Sequence, residues 1–216
     1  MIKLYGTPVS NFYNVIKLAL LEKGFEFEEV FTPPNQKEDF LAKSPLGKIP
    51  CLEVQEGFLV ETNVILEFLE DINSEIPLFP ENAYQRAKVR ELMKVFELYI
   101  DAPVRRLMPK VFFGQEISDD TVDEVKASLG RGFKAVERLA AFEPYIAGST
   151  FSYADIYAYY VLTLGRVATQ KIYQWDLLDD VPGLKDWFEM MASRALVKSV
   201  DDVSQEAIAQ FFSQKK

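Results

Sequence analysis

The sequence contains no histidine, and this absence removes the usual source of acid–base chemistry at neutral pH. Histidine is the side chain whose ordinary pKa lies closest to neutrality, and it is also the commonest metal ligand. Zinc sites built on histidine, Ser-His-Asp triads and Cys-His dyads are therefore excluded. Proton transfer at neutral pH then depends on a substrate, a hydroxyl group or a carboxyl group with a shifted pKa, and we expect no metal cofactor.

Cysteine, long apolar runs and positive charge are also scarce. The single cysteine, Cys51, excludes a disulfide within the chain and fits a reducing compartment. No apolar run approaches the length of a membrane span, and Met1 leads directly into a strand pattern without a basic-then-apolar leader. The 24 basic residues are outnumbered by 33 acidic ones, and the net charge of −9 argues against nucleic acid and membrane surfaces as partners. We expect a cytoplasmic protein.

The first 76 residues predict a mixed α/β domain with a sizeable core, since 49% of the chain is apolar. The predicted elements are a strand over 2–5, a helix over 12–23, a strand over 25–30, a short helix over 38–43, strands over 51–54 and 58–60, and a helix from Thr62. The first strand, helix and second strand form a parallel crossover. The order βαβ-α-ββα is that of a thioredoxin-like domain.

The remainder of the chain predicts a second domain that is entirely helical. Residues 77–84 are predicted to be a linker because prolines interrupt them, and residues 85–216 form the helical domain. The first helical pattern runs over 85–113 and is interrupted at Pro103, where we expect a kink.

The most informative stretch runs from Ser44 to Thr62. Within it, Ile49-Pro50 precedes a buried strand, where proline is tolerated and is a candidate for a cis bond. A cis bond would turn the Ile49 backbone N–H and C=O away from the sheet, where an extended peptide can pair with them. A hydroxyl and a helix start at Thr62 suit a carboxylate, and the neighbouring Glu61 suits an ammonium group. One end therefore fits a peptide backbone and the other an amino acid zwitterion.

The pattern Pro-x-Gly-Lys-Ile-Pro, followed by Glu61-Thr62 at a helix start, resembles the glutathione-binding half of cytosolic glutathione transferases. A second match lies in the helical part, where Ser152 and Asp155 form a capping box that opens an apolar central helix. The resemblance covers essentially the whole chain and is to the bacterial, Ser-type members.

This resemblance implies an enzyme with glutathione as co-substrate. The enzyme would lower the pKa of the glutathione thiol so that the thiolate attacks a small hydrophobic electrophile, or would catalyse a related isomerase or peroxidase reaction. A free thiol has a pKa of about 8.5, and lowering it by one to two units requires about 1.4–2.7 kcal/mol. A hydroxyl donor and a helix N-terminus can supply that energy. The alternative is a non-enzymatic relative that binds partners, similar to the stringent-starvation proteins.

The resemblance also implies the site residues and a homodimer. The hydroxyl that stabilises the thiolate falls at Ser10, with Asn11 and Tyr13 as alternatives. The glutathione-binding residues would be Lys48, Ile49, Pro50, Glu61, Thr62 and Lys37. The electrophile would bind between the domains, near Tyr99, Arg105, Arg106, Met108, Phe112 and Tyr160.

Cys51 is not expected to take part in catalysis. Cysteine-type relatives place their cysteine where Ser10 stands, whereas Cys51 lies inside a strand pattern and behaves as a small hydrophobic residue. We therefore predict a poor thiol–disulfide oxidoreductase.

Overall fold

The computed structural model describes residues 1–213 and divides them into two compact units. The first unit comprises Met1–Pro77 together with the chain from Ser193 onward, and the second comprises Leu78–Ala192. No helix in the described residues is long and apolar enough to cross a membrane.

The first unit is built on a four-stranded mixed sheet of order β2-β1-β3-β4. Its strands are β1 (Ile2–Gly6), β2 (Phe27–Phe31), β3 (Cys51–Val54) and β4 (Gly57–Val60). Its first helices are α1 (Asn11–Glu22), α2 (Glu38–Leu41) and α3 (Thr62–Ile72). Strands β1 and β2 are parallel, whereas β3 is antiparallel to both β1 and β4. The predicted βαβ-α-ββα order of a thioredoxin-like domain is confirmed.

The two faces of this sheet are covered by different side chains because residues along a strand alternate in direction. Leu4 and Leu52 pair across β1 and β3, and both are fully buried. The neighbouring pair, Tyr5 and Cys51, packs with Phe40 of α2 in a separate small cluster. Both faces of the central strands are therefore buried, as expected for a sheet with helices on each side.

The second unit is helical, as predicted. Its helices are α4 (Ala83–Val95), α5 (Ala102–Arg105), α6 (Met108–Phe113), α7 (Asp119–Leu139), α8 (Tyr153–Tyr173) and α9 (Leu184–Ser193). The predicted capping box opens α8, and its Asp155 carboxylate also accepts hydrogen bonds from the Ile146 N–H and the Trp187 indole. Since α8 is buried over most of its first half, these contacts fix the central helix of the unit.

The interruption predicted at Pro103 takes a different form in the structure. A π-helical segment, Phe96–Asp101, precedes Pro103, and the helix ends only after Arg105. Proline has no N–H to donate to the carbonyl four residues earlier, that of Tyr99. The wider turn begins before that point, where the Ala102 N–H bonds to a carbonyl five residues back.

Gly132 of α7 approaches this π-helical segment closely. A Cβ built on Gly132 would lie 2.7 Å from the Tyr99 carbonyl oxygen, whereas one built on Gly130 would meet nothing within 4 Å. We expect Gly132→Ala to lower the free energy of unfolding by about 1–3 kcal/mol, since backbone must move. Gly130→Ala in the same helix should raise it by about 0.5–1 kcal/mol. Urea unfolding of both variants tests this, and equal changes would contradict the close approach.

The division of the chain differs from the predicted one at its C-terminus. Helix α10 (Ala195–Ser213) belongs to the first unit, although residues 85–216 were expected to form one helical domain. Arg194, just before α10, forms an ion pair at 2.8 Å with Glu22 of α1. Contacts of this kind depend on residues far apart in the sequence, and helical periodicity alone does not indicate them.

Candidate active site

Four loops join the sheet of the first unit at the same end of its strands. Cys51, the first residue of β3, pairs with Tyr5 near the end of β1 and with Val60 at the end of β4. Gly6 and Phe31, the last residues of β1 and β2, pair with each other. The loops after β1, β2 and β4 and the loop before β3 therefore lie at this end of the strands, which we call the loop edge. These loops carry Ser10, Lys37, Glu61 with Thr62, and Lys48 with Ile49 and Pro50.

The segment before β3 presents a backbone donor and acceptor. The Ile49-Pro50 peptide bond is cis, as predicted. Within residues 1–213, neither the N–H nor the C=O of Ile49 forms a backbone hydrogen bond. The preceding turn is closed by its own contacts, because Ser44 Oγ donates to the Lys48 carbonyl oxygen at 2.7 Å. An unpaired N–H and C=O on one residue beside a strand can pair with an extended peptide.

The loop after β2 packs against this turn. The Asn35 N–H donates to the Gly47 carbonyl oxygen at 3.1 Å, so the exposed Lys37 lies on a loop that contacts the one carrying the exposed Lys48. In the part of the chain that the structure describes, neither ammonium group has a carboxylate partner. Sequence reasoning missed Gly47, whose left-handed φ of +63° closes the turn, although a Pro-x-Gly turn signal was present.

The start of α3 differs in one detail from the prediction. Thr62 opens the helix but is its first helical residue, and Glu61 takes the N-cap position that we expected a hydroxyl to occupy. Glu61 has a φ of +68°, because a single residue joins β4 to α3, and its exposed side chain makes no capping bond. A non-glycine residue in this region of φ costs about 1–3 kcal/mol, and such residues cluster at functional sites.

Ser10 is the N-cap of α1. Its hydroxyl oxygen accepts a hydrogen bond from the Tyr13 N–H at 3.4 Å, which leaves the hydroxyl proton available to a further acceptor. The side chain is half-buried and stands at the positive end of a 12-residue helix. Asn11, the first alternative, is the first residue of the same helix.

Tyr13, the second alternative, is engaged elsewhere. Its ring is buried against Gly6, and its hydroxyl donates to the Glu29 carboxylate, which also pairs with Lys17 at 2.9 Å. Burial, with the Glu29 carboxylate, raises the pKa of the Tyr13 hydroxyl well above its ordinary value. These contacts favour Ser10 over Tyr13 as the donor at the loop edge.

The Cys51 thiol is fully buried and points away from solvent. Its sulfur lies 3.6 Å from the Lys43 carbonyl oxygen. Burial raises the pKa of this thiol to about 11. Since the thiolate is the reactive form, the thiol should be inert near neutral pH.

We expect iodoacetamide to alkylate Cys51 far more slowly in the folded protein than in urea at pH 8. The folded state holds the thiol proton up to about pH 11, whereas an unfolded thiol releases it near a pKa of about 8.5. The stabilisation from this raised pKa is therefore complete below about pH 8.5 and is lost as the pH rises towards 11. Cys51→Ala should remove that pH dependence, and rapid alkylation of the folded protein would contradict the burial.

The residues predicted for the electrophile lie in the second unit and have different environments. Arg105 and Arg106 form ion pairs with Asp101 and Glu124, so each already has a carboxylate partner. Tyr160 is buried in α8, with its ring 5.2 Å from that of Tyr159. Apolar surface remains on the other three predicted residues, which are the exposed Tyr99 and the half-buried Met108 and Phe112.

Comparisons with known proteins agree with this fold. The family models "Glutathione S-transferase, N-terminal domain" and "Glutathione S-transferase, C-terminal domain" match residues 4–77 and 119–189. A glutathione S-transferase from Pseudomonas putida is 41% identical over 88% of this chain and 87% of its own length. A probable maleylacetoacetate isomerase 2 from Drosophila melanogaster is 26% identical over 66% of this chain and 59% of its own.

The solved structures give the same fold. The crystal structure of a glutathione transferase homolog from Sulfitobacter, with bound glutathione, has a TM-score of 0.71 and 23% identity over 94% of this chain and 97% of the other. The predicted fold and enzyme class are thereby confirmed by matches along most of the sequence. This chain belongs to the glutathione S-transferase family.

Proposed function

We propose that this enzyme conjugates the thiolate of reduced glutathione to a small hydrophobic electrophile. The observation that carries the proposal is the register of the sheet, which brings Ser10, Ile49 and Glu61 to one loop edge. A hydroxyl donor, a peptide-pairing backbone and a zwitterion site are the three features that binding and activating a γ-glutamyl tripeptide require.

In this proposal the tripeptide lies along Ile49-Pro50. The backbone of its cysteinyl residue pairs with the Ile49 N–H and C=O. Its glycyl carboxylate faces the ammonium groups of Lys37 and Lys48. These two lysines lie on loops that contact each other through Asn35 and Gly47, which supports a single anion site between them.

The γ-glutamyl end docks at the start of α3. The Glu61 carboxylate faces the ammonium group, and the Thr62 end of the helix faces the carboxylate, where the helix dipole and free N–H groups favour negative charge. The strained φ of Glu61 supports this assignment, because non-glycine residues held at such a cost in stability cluster at functional sites.

The Ser10 hydroxyl then donates a hydrogen bond to the glutathione sulfur and so stabilises its thiolate form. The hydroxyl already accepts the Tyr13 N–H, so its proton is the part left for the ligand. Stabilising the anion lowers the thiol pKa and raises the fraction of thiolate at neutral pH. No other base is needed, since the proton leaves to solvent once the pKa is low.

The remaining parts of the proposal rest on the family. The electrophile contacts Tyr99, Met108 and Phe112, whose apolar surface suits a hydrophobic ligand. The enzyme works as a homodimer that detoxifies such compounds in the cytoplasm, where a chain with one buried cysteine remains reduced.

Glutathione binding followed by a conjugation assay tests the function. We expect the protein to be retained on immobilised glutathione, to bind free glutathione calorimetrically and to conjugate it to an aromatic halide. Maleylacetoacetate serves as a second substrate, because one relative carries the name of an isomerase of that compound. Binding without turnover of either substrate would favour a non-enzymatic binding protein. Failure to bind glutathione at millimolar concentration would contradict the proposal.

Replacing Glu61 with glycine should separate strain from binding. Glycine adopts a positive φ freely, so Glu61→Gly should raise the free energy of unfolding by about 1 kcal/mol. The same change removes the carboxylate and should weaken glutathione binding by about 10- to 100-fold. Glu61→Gln is the matched control, because it keeps the strained backbone and removes only the charge. Unchanged affinity in both variants would contradict the assigned role.

A further inference from the structure

The loop that presents Ser10 is held by a contact from the far end of the chain. The Pro8 carbonyl oxygen accepts hydrogen bonds from Asn14 Nδ2 at 3.0 Å and from Ser204 Oγ at 2.8 Å. Asn14 belongs to α1 and Ser204 to α10, 190 positions later, and their side chains also contact each other at 3.2 Å. Two donors on one carbonyl fix the direction of the peptide group that lies two residues before Ser10.

The rest of this loop is closed by Thr7. The Val9 N–H donates to Thr7 Oγ1 at 3.1 Å, and the Ser10 N–H donates to the Thr7 carbonyl oxygen at 3.0 Å. The loop therefore has internal contacts on its N–H groups, and its Pro8 carbonyl is held from outside by α1 and α10. The position of the Ser10 hydroxyl depends on both sets of contacts.

Asn14 makes these contacts with its amide nitrogen, while its amide oxygen is left without a partner among the described residues. The Asn14 side chain is buried. A buried acceptor without a partner is unfavourable, and an apolar residue would avoid the penalty. A residue kept at such a cost beside a functional loop is more readily explained by positioning than by stability.

We propose that Asn14 and Ser204 are positioning residues for Ser10, with α10 supplying the hydroxyl that fixes the Pro8 carbonyl. This inference rests on the proposed role of Ser10 in stabilising the glutathione thiolate. Neither residue touches the sulfur. Their contribution is to hold the Ser10 oxygen within hydrogen-bond distance of it, where an error of about 1 Å reduces the rate strongly.

Ser204→Ala tests the inference through the pKa of bound glutathione, followed by the ultraviolet absorbance of the thiolate. We expect the pKa to rise towards that of free glutathione, kcat/KM at pH 6.5 to fall about tenfold, and the Kd for glutathione to change little. Ser204→Thr should keep the wild-type thiol pKa and the wild-type kcat/KM, because threonine keeps the hydroxyl. Ser199→Ala is the matched control, since Ser199 lies on the same helix and donates to the Leu196 carbonyl of its own helix.

A double-variant comparison separates this inference from the proposed function. In a Ser10→Ala background, Ser204→Ala should cause no further change in thiol pKa, because its target is already absent. A raised pKa in Ser10→Ala with a wild-type pKa in Ser204→Ala would overturn the positioning role alone. An additional shift in the double variant would also overturn it. A wild-type pKa in Ser10→Ala would overturn the proposed role of Ser10 and this inference with it.

Discussion

Ser10→Ala is expected to reduce kcat/KM for glutathione conjugation by about 10- to 100-fold near neutral pH. A hydrogen bond to a charged group contributes about 1.5–3 kcal/mol, and each 1.36 kcal/mol is tenfold in rate. Because the lost donor stabilises the thiolate, the thiol pKa should rise towards about 8.5. The deficit should therefore be largest at low pH and shrink as the pH rises past the new pKa, and the pH profile of kcat/KM measures this.

The same substitution also removes the N-cap of α1, so stability needs its own control. Loss of a serine cap costs about 0.5–2 kcal/mol. Ser118 caps α7 in the same way, accepting the Thr121 N–H at 3.2 Å, and lies in the other unit. Ser118→Ala should show a similar loss of stability with unchanged thiol pKa. If both variants lose activity equally, or if Ser10→Ala keeps the wild-type pH profile, Ser10 does not stabilise the thiolate.

Gly47→Ala is expected to disrupt the fold and the site together. Gly47 has a φ of +63°, and a Cβ built on it would lie 2.1 Å from the Asn35 carbonyl oxygen. Alanine must therefore adopt an unfavourable backbone conformation and also displace the neighbouring loop. We expect the free energy of unfolding to fall by about 2–4 kcal/mol. The Kd for glutathione should rise at least about tenfold, because the displaced loop carries Lys37.

Gly24→Ala isolates the backbone contribution to that effect. Gly24 follows α1 with a φ of +69°, nearly the same as that of Gly47, but a Cβ there would meet nothing within 4 Å. It should cost about 1–2 kcal/mol from the backbone alone and leave glutathione affinity unchanged. Chemical unfolding and calorimetric titration of the pair measure both quantities. Equal losses of stability with no loss of affinity at Gly47 would show that the contact between the two loops does not shape the site.

The sequence predicts the thioredoxin-like unit well because its signals are local. Alternating Phe and Glu residues mark β2, a glycine follows α1, and Ile49-Pro50 precedes β3, each readable within a few positions. The cap at Ser10 and the capping box at Ser152 are likewise short patterns with fixed spacing. The residues proposed to bind glutathione lie in the loops that flank these elements, so their placement at the loop edge follows from the strand order.

The features that sequence reasoning missed depend on contacts between distant segments. The cis bond at Glu143-Pro144 follows Phe142, whose φ is +52°, and no turn motif there distinguishes it from an ordinary X-Pro loop. The π-helical segment before Pro103 extends further than a proline kink predicts and coincides with the close approach of Gly132. The hydrogen bonds to the Pro8 carbonyl come from Asn14 and Ser204, which lie 190 positions apart in the sequence. Helical periodicity cannot indicate such a contact.

The structure of the complex with glutathione tests the central claim most directly. We expect the sulfur to lie within hydrogen-bond distance of Ser10 Oγ, the cysteinyl backbone to pair with Ile49, and the γ-glutamyl group to contact Glu61 and the start of α3. A tripeptide bound away from the loop edge, or a sulfur facing a side chain other than Ser10, would contradict it.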